Sequence, residues 1–247
     1  GKGRMRTSEI GHGEPVLSGT EVARTRSLPR RIALIDAESG KSAVPTSLIL
    51  DDFAEAFDVY AHHDAVPGAL VPELIRVDRR QDGGSDASEL PDLDTIVLGC
   101  SLEQISPPGS ASRLIGPIPE GTRLYAIASD ERYGLQAVPG LLDPIKDSCS
   151  RCGIAWCGCL VAYASAMIPM TARSARMGVM RRHLSEATDR LILAVRCGTD
   201  AGMIETRAPV PRFIYRSIVK RREMLQSSGE EYPLPDSPEG KPRHQRT

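Results

Sequence analysis

The chain has 247 residues, enough for one sizeable domain or two small ones, and its net charge of −1 gives no global pull toward nucleic acid. No apolar run approaches the ~20 residues that span a bilayer. Six cysteines in 247 residues are too sparse for a disulfide framework, so a reducing cytoplasm is the expected setting.

Residues 1–29 are polar, rich in Gly, Ser and Arg, and lack the apolar core of a secretory signal; a poorly ordered extension is expected there. The first strand is expected over Ile32–Asp36. The polar stretch Ala37–Pro45 then opens an amphipathic helix over Thr46–His62. Further strands are expected over Leu74–Asp78, Thr95–Cys100, Leu124–Ser129 and Ile154–Val161. A polar connection, Arg79–Pro91, precedes the third of the five. Helices are expected near Ser110–Ile115 and over Ala137–Cys152 and Val179–Arg196. In the last, Met180, Leu184, Ala187, Leu191 and Val195 recur every three or four residues and share a face. A basic amphipathic helix is expected over 210–225; packing on the same domain, 30–225, is the favoured reading, and an anionic membrane or a dimer partner is the alternative. The Pro-rich, charged residues 226–247 read as a disordered tail.

Strands alternating with helices imply a parallel sheet with helices on both faces, and right-handed crossovers put every strand-to-helix loop at one edge. Three loops stand out there: Ala37–Pro45, Ser101–Gly109 and Asp130–Gln136. In a doubly wound five-stranded sheet of order 2-1-3-4-5, a ligand binds between strands one and three. The first loop ends at a helix N-terminus, where backbone N–H groups and the helix dipole attract an anion. Ser39, Ser42, Thr46 and Ser47 supply hydroxyls near it and Lys41 a positive charge, although Thr46 and Ser47 read equally as simple helix caps. Gly40-Lys41-Ser42 ends like a nucleotide-binding P-loop, but that motif requires Gly where Ile35 stands.

With these residues in place, the chain resembles the flavodoxin-like NAD(P)H-dependent FMN reductases over roughly residues 31–225. The resemblance rests on Ile35-Asp-Ala-Glu-Ser-Gly-Lys-Ser-Ala-Val-Pro-Thr-Ser47, on Leu93-Asp-Thr-Ile-Val-Leu-Gly99, and on Tyr125-Ala-Ile-Ala-Ser-Asp-Glu-Arg-Tyr133. Cys149-Ser-Arg-Cys-Gly-Ile-Ala-Trp156 and Pro211-Arg-Phe-Ile-Tyr215 extend it. It implies FMN, with its phosphate held by Ser39, Ser42, Thr46 and Ser47; Lys41 beside them reads as a charge partner or an ordinary solvated lysine. The ring would be bordered by Ser101, Leu102 and Glu103 on one loop and by Ser129, Asp130 and Tyr133 on the other. NAD(P)H would deliver hydride to the flavin, which would pass electrons to a small acceptor; a homodimer is also implied. The cofactor carries such chemistry, so no catalytic acid or base is assigned. The family's aromatic after the third strand is missing from Cys100–Gly109, although Pro107 is retained. The alternative reading is therefore a degenerate flavodoxin-like module without cofactor or activity.

Cys149, Cys152, Cys157 and Cys159 crowd together in the sequence. Alternation along the fifth strand predicts that Cys157 and Cys159 share a face away from the helical pair Cys149 and Cys152, so no metal site is assigned.

Overall fold

The computed structural model describes residues 28–37, 44–63, 71–78, 93–105, 109–115, 118–134, 140–171 and 178–227. The extension and the tail expected at the two ends lie outside them, apart from residues 28, 29, 226 and 227.

Six strands form one parallel sheet in the order β2-β1-β3-β4-β5-β6. They are β1 (Arg31–Asp36), β2 (Glu73–Asp78), β3 (Thr95–Ser101), β4 (Arg123–Asp130), β5 (Ala155–Tyr163) and β6 (Gly202–Glu205). The first five are the expected strands in the expected flavodoxin-like order. In β1, β3 and β4 the runs of Ile, Leu, Val and Ala are nearly continuous because both faces are covered, whereas the edge strand β2 exposes Glu73 and Arg76. On one face α1 (Val44–His63) and α6 (Gly178–Cys197) bury Ile49, Leu50, Phe53, Phe57, Leu191 and Val195 against Ile32, Leu34, Val97 and Leu160. On the other, α2 (Leu102–Ile105), α3 (Ser110–Ile115) and α4 (Asp143–Arg151) bury Leu102, Ile105, Ile115, Ile145 and Cys149 against Ile35, Ile96, Leu98 and Val161. Each such side chain contributes about 1.5–3 kcal/mol of burial, which makes the two-sided core the main source of stability.

The structure departs from expectation in several places. The helix expected from Ala137 starts at Asp143, after a turn at 140–142, with Pro144 in its first turn. Proline fits there because the first N–H groups of a helix have no partner within it. The second departure is β6, a sixth strand of four residues that lies beside β5. It carries one buried hydrophobic residue, Ile204, too little for a sequence pattern. Between β5 and α6, finally, Ser165–Met167 form a 3-10 turn and α5 (Ile168–Thr171) a single helical turn.

The register of β5 slips by one residue. Leu124 of β4 pairs with Trp156, but Tyr125 pairs with Gly158, so Cys157 is an unmatched bulge residue. A bulge interrupts alternation, and it sends Cys157 into the α1–α6 core while Cys159 joins the α2–α4 core. The two cysteines therefore face opposite sides of the sheet, contrary to the simple alternation expected. Gly158 makes this possible. Its φ is +125°, and a Cβ there would lie 2.5 Å from the Gly202 carbonyl oxygen and 2.8 Å from the Gly202 nitrogen.

Gly158→Ala should cost about 2–4 kcal/mol, because both the backbone angle and the approach of β6 forbid a side chain. Gly134→Ala should be close to neutral, since a Cβ there meets nothing within 4 Å. Denaturant midpoints of the two variants check the contrast; equal midpoints would contradict the bulge assignment.

Candidate functional site

All six strands are parallel, so their carboxyl ends form one edge, and β1 and β3 part there to opposite helical layers. Asp36, the last residue of β1, stands level with Gly99 of β3, and Ser101 level with Ser129 of β4. The first turn of α1 is set directly on this edge. A Cβ on Gly99 would lie 2.5 Å from Leu50 Cδ1 and 2.9 Å from Thr46 Cγ2, so the helix rests on a position that only glycine leaves vacant.

Two hydroxyls fasten that turn. Thr46 Oγ1 donates to Ser129 Oγ at 2.8 Å, with Thr46 at 0% exposure. Ser47 Oγ donates to the buried Asp36 carboxylate at 2.7 Å. The Ala37 N–H bonds the Gly99 carbonyl at 3.0 Å and ties the start of the connecting loop to β3. Helix α1 is thus joined to the ends of β1, β3 and β4 at once.

The structure brings Thr46, Ser47, Ser101 and Ser129 to this edge. Ser39, Lys41 and Ser42 lie outside the described residues. Thr46 and Ser47 spend their hydroxyl protons inside the protein, so they position the helix; a phosphate here would be met by backbone N–H groups. Leu102 is 2% exposed and belongs to the α2–α4 core, which withdraws it from any ligand, while Glu103 is exposed. Asp130 is buried at the end of β4 and grips Arg132: Arg132 Nε donates to Oδ2 at 2.7 Å and its backbone N–H to Oδ1 at 2.9 Å. Tyr133 turns toward the C-terminal segment. Its hydroxyl donates to the Val210 carbonyl at 2.8 Å, and its ring lies 5.7 Å from that of Tyr215.

Helix α7 (Arg212–Ser227) is the helix expected over 210–225; that it reaches this edge is what residue patterns did not reveal. Tyr215 is buried with Ala164, Ala166 and Met167, and its hydroxyl donates to the Glu131 carbonyl. Arg222 Nη1 lies 2.6 Å from a Glu131 carboxylate oxygen. The helix therefore clasps the loop after β4. Asp36 and Gly99 also escaped notice, although a carboxylate closing β1 and a glycine inside an apolar strand are both visible in the sequence.

The cysteines are divided among different surroundings. Cys149 and Cys159 are buried, and desolvation pushes both thiols from 9.0 up to about 12. Cys152 and Cys197 are exposed. A recess of about 470 Å³ between α3 and α4 is lined by Ser112, Ser148 and Arg151, whose guanidinium reaches both hydroxyls.

No family model matches the chain, and no curated protein matches it. Among solved structures it is similar to a short-chain flavodoxin associated with a non-canonical PDU bacterial microcompartment. That match has a TM-score of 0.35 and 9% identity, over 55% of this chain and 82% of the other. The class rests on the strand order: a flavodoxin-like α/β sheet with one added edge strand.

Three measurements check these contacts and the cysteine surroundings. Thr46→Val leaves the buried Ser129 hydroxyl without its donor and should cost about 1–3 kcal/mol; adding Ser129→Ala should then cost less than the sum of the two single changes. Strict additivity would contradict the contact. A thiol reagent at pH 8 should modify Cys152 and Cys197 quickly and the other four cysteines only on unfolding. The raised thiol pKa values favour the folded state below about 9, and this contribution is lost as pH rises from there toward about 12. Unfolding midpoints that stay flat across that window would contradict it.

Proposed function

We propose that this protein is a flavin-binding redox module, with FMN seated at the carboxyl edge between β1, β3 and β4. One observation carries the reading: the first turn of α1 is pinned over the point where β1 and β3 diverge, the place where open α/β sheets bind ligands. A helix N-terminus held there offers aligned backbone N–H groups and a positive dipole end to a phosphate. Thr46 and Ser47 fix the aim of the helix, Gly99 lets it approach, and Ser101 and Ser129 line the floor.

FMN, when bound, would accept hydride from NAD(P)H and pass electrons to a small acceptor. The chain's own part is to hold the phosphate and keep the ring against the loops after β3 and β4. Asp130 fixes the second loop by gripping Arg132, and α7 fixes it from outside through Tyr215 and Arg222. No side chain is assigned a proton transfer. A homodimer in a reducing cytoplasm completes the proposal.

A second reading, a flavodoxin-like module without cofactor, is favoured by the charge on this edge. Asp36 is buried beside the proposed phosphate position, and no aromatic residue stands in Ser101–Ile105 to stack on a flavin ring.

Titration with FMN and with riboflavin, read from flavin fluorescence, separates the two. Trp156 is a poor reporter because it stands near the amino end of β5, opposite the site. FMN should bind saturably and about tenfold or more tighter than riboflavin, ~1.4 kcal/mol from the phosphate. Asp36→Asn keeps an acceptor for Ser47, removes a negative charge and should tighten FMN several-fold. NADH or NADPH should bleach the bound flavin in the absence of oxygen. No saturable binding by either flavin would leave the cofactor-free module.

A further inference from the structure

Helix α7 has a second, outward face. Its inner side, Tyr215, Ile218, Val219 and Arg222, is taken up by the domain. At about 100° per residue, the opposite side presents Phe213, Ser217, Lys220 and Met224 at intervals of four, three and four. Phe213 is 71% exposed and Met224 62%. Arg216 and Arg221 flank this stripe, and Arg212 stands at its start; all three are exposed.

The charge is concentrated as well as exposed. In a chain of net charge −1, α7 carries five cations (Arg212, Arg216, Lys220, Arg221 and Arg222) against one acid, Glu223. Arg222 is paired with Glu131. Among the described residues, no carboxylate pairs with Arg212, Arg216, Lys220 or Arg221. Two large apolar side chains, eleven residues and so about 16 Å apart along the axis, bracket this cationic strip.

We propose that the outer face of α7 docks the protein on an anionic phospholipid surface. Lys220, Arg216, Arg221 and Arg212 would meet headgroup phosphates while Phe213 and Met224 enter the acyl boundary. Basic residues near a membrane interface gain from the negative surface potential, and one or two apolar side chains supply the insertion. A second copy of the chain fits poorly, because joining two such faces sets four cations against four. A protein partner would also find little area. A helix of this length is about 24 Å long and one face of it is far smaller than the ~800 Å² per side of a stable interface. A membrane requires no matching surface, only charge and a shallow foothold.

The test is co-sedimentation of the full chain with phosphatidylcholine vesicles, with and without phosphatidylserine. Binding is expected only to the phosphatidylserine vesicles and should fall away at high salt, as exposed charges are screened. The triple variant Arg216→Ala/Lys220→Ala/Arg221→Ala should weaken it at least about tenfold and Phe213→Ser several-fold, with unfolding midpoints unchanged. Arg190→Ala, an exposed cation on α6, should leave it intact. Three results would overturn the proposal. They are no retention on phosphatidylserine vesicles at low salt, equal weakening by Arg190→Ala, or retention on immobilised polyglutamate with none on lipid.

Discussion

The geometry of this molecule depends on how the first turn of α1 is attached to the sheet. Thr46 reaches β4 through Ser129, Ser47 reaches β1 through Asp36, and the absent side chain of Gly99 lets the helix settle on β3. Three strands are thereby fixed against one helix end, at the edge where a doubly wound sheet keeps its ligand. These hydroxyl contacts are directional, whereas the apolar contacts that supply most of the stability are not. The core holds α1 against the sheet; the hydroxyls determine where its end points.

The same edge is closed on its far side by α7, which grips the loop after β4 through Tyr215 and Arg222. One helix at the start of the domain and one at its end thus bound the region between them. Under the proposed function, Ser101 and Ser129 would form its floor. The outer face of α7 remains for a charged surface, so the helix that fixes this edge also faces outward from it.

Much of the fold was legible because its central strands are nearly continuous apolar runs. Ile32–Asp36, Thr95–Cys100 and Leu124–Ser129 admit little except buried parallel strands, and the helix periods between them supply the crossovers. What escaped notice depended on tertiary contact. Strand β6 has a single buried hydrophobic residue and exists because Gly158 lets Gly202 approach. The slip at Cys157 reverses the facing of Cys159, and no alternation rule can show a bulge before its partner strand is known. At the site, residue type was informative and role was not. Thr46 and Ser47 have the composition of phosphate ligands, yet their protons go to Ser129 and Asp36. The sequence places them eighty-three and eleven residues from those partners. Leu102 sits beside the proposed ring position in sequence, but one helical turn carries it into the core.

The start of α1 is proposed to be aimed at an anion-binding point between β1 and β3. Residue-resolved amide NMR, recorded while inorganic phosphate and then FMN are added, tests it most directly. The Ala37, Thr46 and Ser47 amides should shift saturably with both additions, and Ser101 and Arg132 with FMN alone. Shifts confined to Ser112, Ser148 and Arg151 in the α3–α4 recess, or none at the start of α1, would contradict it.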